Sequence, residues 1–126
     1  MKCKVYLRAE VLVIDPAGEA IELDAEVYYH EGGRCGARYS HLDVVLPKSS
    51  KYAELLQRGY YRTVLCRDEL IIDLGRLVAG YRLVVRLKDS MFSKQLTYTA
   101  RIYRYDMGNS IKVTVRLPRD AGLAQL

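Results

Sequence analysis

The chain has 126 residues, half of them apolar and 28% charged, with a formal net charge of +5. That is the size and composition of one globular domain whose core needs neither disulfide nor metal, and it excludes a disordered or fibrous chain. No run approaches the roughly 20 apolar residues that span a bilayer, and the start Met1-Lys2-Cys3-Lys4 leads into alternating sequence, so neither a membrane span nor a signal peptide is expected.

Side chains two apart face the same side of a strand, so alternation is the primary signal. From Cys3 to Val13 the odd positions Cys3, Val5, Leu7, Ala9, Val11 and Val13 alternate with Lys4, Tyr6, Arg8 and Glu10, which predicts a half-buried strand. Asp15-Pro16-Ala17-Gly18 supplies turn chemistry. A second strand follows, with Ile21, Leu23, Ala25, Val27 and Tyr29 on one face and Glu22, Asp24, Glu26 and Tyr28 on the other. The two are expected to pair as a hairpin. Glu31 to Gly36 breaks the chain, and a third strand of weaker pattern ends near Leu46-Pro47.

Ser49 or Ser50 is placed to cap a short helix near residues 50–58, with Tyr52, Leu55 and Leu56 as its apolar stripe and Gly59 as its end. At about nine residues it must dock on the sheet to persist. Strands resume over Tyr60–Cys66, Tyr81–Lys88, Lys94–Tyr105 and Ile111–Leu117, the last two joined by a turn at Met107-Gly108-Asn109-Ser110. Residues 69–79 fit two patterns. Leu70, Leu74, Leu77 and Val78 have helical spacing, whereas Ile71-Ile72 and Gly75 favour a strand and a bend, and the strand is preferred. The tail after Pro118 is expected to fray. The whole reads as one mainly β domain over residues 1–126, an antiparallel sandwich or distorted barrel of about seven or eight strands with one short helix.

Charge is unevenly spread. Residues 1–60 hold eight Lys/Arg and nine Asp/Glu, and residues 61–126 hold twelve and six. In the second half Arg82, Arg86 and Lys88 share one strand face, Lys112 and Arg116 another, and Arg101 lies on the opposite parity from Arg104. Arginine pairs with phosphate and tyrosine rings stack on bases, so Arg82, Arg86, Arg101, Tyr103, Arg104, Tyr105, Lys112 and Arg116 are the candidate residues of a nucleic-acid-binding sheet face. Arginine and tyrosine also enrich protein interfaces, and the acidic row Glu22, Asp24, Glu26 is expected to solubilise its face or to pair with the arginine-rich strands of this or a second molecule. Eleven tyrosines beside one Phe92 and no tryptophan suit core margins and cross-strand pairs. The expectation is therefore a non-enzymatic protein-binding or self-assembling module that forms a homo-oligomer, with nucleic-acid binding as the alternative.

Other constellations are weaker. His30, Cys35 and His41 surround the glycine-rich turn, and with Cys3 or Cys66 they would make a zinc set, but no closely spaced ligand pair announces one. Gly32-Gly33-Arg34-Cys35-Gly36 lacks the Gly-Lys-Ser/Thr ending of a phosphate loop and reads as a hairpin loop. No cofactor, catalytic residue or small-molecule substrate is indicated. Three cysteines without a Cys-x-x-Cys pair argue against a secreted disulfide framework and for an intracellular location.

Three strands, a short helix and further strands give residues 2–75 the element order of an OB-fold, which this segment resembles. The chain also resembles the small uncharacterised proteins of viruses of hyperthermophilic archaea, of the Pyrobaculum spherical virus type. The likeness lies in length, in strands such as Tyr81-Arg82-Leu83-Val84-Val85-Arg86-Leu87, and in scarce amides, with Asn109 the single asparagine and Gln57, Gln95 and Gln125 the glutamines. That resemblance implies a viral origin, with the host cytoplasm or the virion as location, and no particular activity.

Overall fold

The computed structural model describes residues 3–75 and 77–125. Alternation is realised as twelve strand segments: β1 (Lys4–Leu7), β2 (Ala9–Ile14), β3 (Ala20–Leu23), β4 (Glu26–His30), β5 (His41–Pro47), β6 (Gly59–Cys66), β7 (Glu69–Asp73), β8 (Arg82–Leu87), β9 (Ser90–Phe92), β10 (Leu96–Asp106), β11 (Ser110–Arg116) and β12 (Leu123–Gln125). Ten of them form one sheet in the order β1-β4-β5-β11-β10-β6-β7-β8-β2-β3, every neighbouring pair antiparallel. The fold is mainly β, as the sequence predicts. No helix among the described residues is long and apolar enough to cross a membrane.

The expected first hairpin forms, but it is bent. Only Arg8 separates β1 from β2, and only Asp24 and Ala25 separate β3 from β4. The pairs Leu7↔Val27 and Val11↔Leu23 lie in one register, so no residue is gained or lost across the bend. Past the bend the two halves go to opposite ends of the sheet, β1 and β4 beside β5 and β2 and β3 beside β8. The sheet thus curls into a half-barrel whose two ends are the two halves of one hairpin. Its concave side holds the core, built from alternate residues such as Val11 and Val13, Leu42, Val44 and Leu46, Leu83 and Val85, and Ile111, Val113 and Val115. Burying aliphatic side chains of this size stabilises the fold by roughly 1.5–3 kcal/mol each before entropy is counted.

Three expectations are corrected. The predicted helix at 50–58 is a single 3-10 turn, Ala53–Leu55. Its carbonyls are taken by an inward-facing guanidinium: Arg104 donates to Ala53 O and Leu56 O at 2.5 and 2.9 Å, and the Tyr61 hydroxyl donates to Gln57 O at 2.8 Å. Carbonyls satisfied by side chains have no need of the next helical N–H. The tail after Pro118, as far as residue 125, is docked rather than frayed; Ala121 is buried and β12 pairs with β9. The OB-like element order ends with β5 and the turn, because the sheet continues through β6, β7, β8, β10 and β11 rather than closing on five strands. The ambiguous stretch at 69–79 is a strand over Glu69–Asp73, as preferred, followed by turns. The Met107–Ser110 turn forms, with Gly108 at φ +89°.

Cys3 and Cys35 form a disulfide, and Cys66 is a free, exposed thiol. The bridge ties the start of β1 to the loop between β4 and β5. Within that loop the Gly32 N–H donates to Ser40 Oγ at 2.8 Å, and a Cβ at Gly32 would lie 2.7 Å from the Ser40 backbone nitrogen, so only glycine fits.

Arg104→Met is expected to lower unfolding stability by about 1–3 kcal/mol, because two partly buried carbonyls lose a charged donor; chemical denaturation measures it, and an unchanged midpoint would show that the turn does not depend on Arg104. Cys3→Ser, which opens a loop of separation 32, should cost about 3–4 kcal/mol by loop-closure entropy, read as a lowered Tm that added reductant no longer shifts.

Candidate functional site

The outer, convex side of the sheet carries the residues that alternate with the core. Strand register sets them in rows, since directly opposed side chains on one face lie about 4.5–5.5 Å apart. One row runs Tyr6, Tyr28, Asp43, Thr114, Tyr103; a second runs Lys4, His30, His41, Arg116; a third runs Glu26, Val45, Lys112, Tyr105. Arg101 lies beside Tyr60 of β6. Arg38 and Tyr39 from the β4–β5 loop, the whole second row, and Asp43, Thr114, Tyr103, Lys112 and Tyr105 bound a cleft of about 410 Å³, with Arg101 and Tyr60 on the same face beyond its lining.

At its floor is Asp43, whose side chain is 2% exposed. A buried carboxylate is costly unless paired and hydrogen-bonded. Lys4 reaches over the Tyr28 ring to place Nζ 3.0 Å from one carboxylate oxygen, and Thr114 Oγ1 donates to the other at 2.6 Å. His41 Nε2 is 3.8 Å from that second oxygen, and its ring stacks against His30 with centroids 4.6 Å apart.

Lys4 apart, the cations Arg101, Lys112 and Arg116 are held by rings rather than by carboxylates. The Arg116 guanidinium lies 4.5 Å from the Tyr39 ring centre and donates to the Tyr103 hydroxyl at 3.0 Å. Arg101 sits 4.8 Å from the Tyr103 ring, and Lys112 Nζ 4.8 Å from the Tyr105 ring. Among the described residues, no carboxylate lies within ion-pair distance of Arg38, Arg101, Lys112 or Arg116. A guanidinium or ammonium over a tyrosine face is oriented without being neutralised, so its N–H groups remain available to an anion. Tyr60 and Tyr105 present 56% and 45% of their surface to solvent beside these cations.

Of the eight residues nominated from sequence, the structure brings Arg101, Tyr103, Tyr105, Lys112 and Arg116 together on this face. It excludes the other three. Arg104 has the opposite parity and is spent on the 3-10 turn. Arg82 and Arg86 are on β8, beyond β6 and β7 in the sheet order. There Arg86 bonds Glu69 at 2.9 Å and Glu10 at 3.6 Å, which holds its guanidinium above the ordinary arginine range, while Arg82 lies opposite Asp73. Within the chain, among the described residues, Glu22, Asp24 and Glu26 form no ion pair with these arginines; Glu26 accepts from the Tyr28 hydroxyl at 2.7 Å. Lys4, His41, Asp43 and Thr114 were missed as a group. A carboxylate within the apolar run Leu42–Leu46 is the signal that would have found Asp43, because it needs a buried partner. The zinc reading of His30, Cys35 and His41 loses its thiolate to the Cys3–Cys35 bridge.

His41 gives the site a pH response. Burial favours the neutral ring and outweighs the pull of Asp43 and of the Tyr39 carbonyl, while His30 and Lys4 add to the lowering, so the folded-state pKa lies below 6.5. As pH falls, the unfolded chain takes the proton first. The stability contributed by His41 is complete above about 6.5 and is lost as pH falls through the lowered folded value. An NMR titration of the His41 ring should give a midpoint below 6.5; a midpoint above it would mean that Asp43 dominates.

No family model, curated protein or solved structure matches the chain.

Proposed function

We propose that this chain is a non-enzymatic module that binds single-stranded nucleic acid across the outer face of β5, β11, β10 and β6. The observation that carries the reading is the interleaving of Arg38, Arg101, Lys112 and Arg116 with Tyr39, Tyr60, Tyr103 and Tyr105 on one surface, with the one carboxylate of the cleft, Asp43, already paired to Lys4. Phosphates meet guanidinium and ammonium groups whose charge is not cancelled, and unstacked bases meet the solvent-exposed parts of the neighbouring tyrosine rings. A single strand suits the surface better than a duplex. Its bases expose both π-faces and edges to a sheet, whereas the major groove of a duplex is read by an inserted helix or ribbon, and this face offers neither.

Fluorescence anisotropy with labelled oligo(dT) or oligo(U) tests the proposal. Four cations on the strand predict a slope of log affinity against log salt of about −2 to −3. Arg116→Ala should weaken binding by about tenfold and flatten that slope by about 0.7, while Arg82→Ala on β8 leaves both unchanged. Absence of binding at about 50 mM salt, where phosphate contacts are strongest, would overturn the reading. Equal losses from Arg82→Ala and Arg116→Ala would reduce it to general attraction by a basic protein.

A further inference from the structure

β1 is an end strand, paired with β4 on one side and with no strand on the other among the described residues. Its continuation β2 pairs with β8 on the corresponding side, and that pairing runs on to Arg8, whose carbonyl accepts from the Lys88 N–H at 3.0 Å. Beyond Lys88 the chain leaves for β9, which pairs with β12 instead. A groove of about 490 Å³ opens where β8 would have continued along β1, lined by Val5, Tyr6, Leu7, Tyr29, Leu123 and Glu31, whose carboxylate is paired with Arg34 at 2.9 Å. The Arg8–Asp89 ion pair, at 3.0 Å, also borders it.

The direction of the Arg8 carbonyl fixes the backbone of the strand before it. In an antiparallel ladder the N–H and C=O of one residue point to the same side and alternate from residue to residue. Those of Tyr6 and Lys4 therefore point into the open side, and those of Val5 and Leu7 point to β4. Edges of this kind are normally blunted by exposed charge, proline or a covering loop. At the far end of the sheet, β3 has that protection in Glu19, Glu22 and Asp24. On β1 the one lysine is turned back onto Asp43, and Val5 and Tyr6 are 51% and 59% exposed.

We infer that β1 is the contact through which two copies of this chain associate, each β1 pairing antiparallel with the other about a two-fold axis at Val5. This register sets Lys4 opposite Tyr6 of the second copy and Tyr6 opposite Lys4, the two residues of β1 whose backbone groups face outward, so four hydrogen bonds close the pair. Val5 meets Val5 on the axis and loses its exposure. An axis at Tyr6 would set Lys4 against Arg8 and call on a carbonyl that Lys88 already uses. An axis between two residues would oppose an inner side chain to an outer one. The contact joins both outer faces into one surface, but it stands on the strand edge and does not depend on nucleic-acid binding.

Sedimentation velocity up to about 100 µM protein, which detects contacts of Kd well above micromolar, should show a dimer. In a Cys66→Ser background, Val5→Cys should cross-link two copies under mild oxidation, since residues opposed at a non-hydrogen-bonded pair bring Cβ atoms within about 5.5 Å. Tyr6→Pro removes an outward N–H and spares the bonds to β4, so it should give a folded monomer; Val5→Arg, which sets like charges on the axis, should do the same should the proline variant fail to fold. A monomer at the highest concentration would overturn the inference and leave the groove to a strand from another protein. A dimer that survives Val5→Arg and yields no Val5→Cys cross-link would overturn it too, by placing the contact elsewhere.

Discussion

A carboxylate buried in the wall of a sheet is tolerated only if positive charge and hydrogen-bond donors are brought to it, and the outer surface of this protein is arranged around that demand at Asp43. Lys4 comes from β1 across β4, Thr114 from β11 and His41 from the same strand. One carboxylate thus links three strands on the side away from the core. With Lys4 held at 43% side-chain exposure, the pair is partly solvated, and its worth lies below that of a fully buried ion pair. Its geometric effects are larger. It consumes the single acid of the cleft, which leaves Arg116 and Lys112 to tyrosine rings, and it withdraws the lysine that would otherwise guard the β1 edge.

The same logic of parity explains why two arginines three residues apart on β10 have unrelated roles. Arg101 shares the outer face with Tyr103 and Tyr105, while Arg104 points inward and takes the place of helical N–H groups over Ala53 and Leu56. On the inner side Tyr98 sends its hydroxyl to the Arg116 carbonyl at 2.9 Å, and burial drives that phenol far above its ordinary pKa. The core therefore fixes the backbone of the residue whose side chain stands at the centre of the outer cleft.

Much of this was legible in the sequence because a period of two is local information. Strands, the first hairpin, the Met107–Ser110 turn and the opposed faces of Arg101 and Arg104 all follow from it. Strand order is not local. Nothing in Arg82 or Arg86 reveals that β6 and β7 intervene between β8 and β10, and so a face drawn from parity alone merges two separate surfaces. The misread helix has a related cause: the apolar spacing of Tyr52, Leu55 and Leu56 fits a helix, but the decisive partner, Arg104, lies some fifty residues away. The docked tail fails for the same reason, since β9, its partner, is too short to be seen as a strand.

The Cys3–Cys35 bridge connects the two surfaces for which functions are proposed. Cys3 precedes Lys4 at the open edge of β1, and Cys35 lies in the loop that brings Arg38 and Tyr39 to the cleft. A covalent tie between them reduces the freedom of both the edge strand and the loop, in the unfolded chain and in local opening of the native one. Any ligand that orders Arg38 and Tyr39 therefore acts on a segment already fixed at its base, and the ordering cost that weakens binding to mobile loops is correspondingly smaller. The β1 edge gains in the same way, because a strand held at Cys3 and clamped by Lys4 to Asp43 presents its outward N–H and C=O groups in a set direction rather than fraying as a free terminus would.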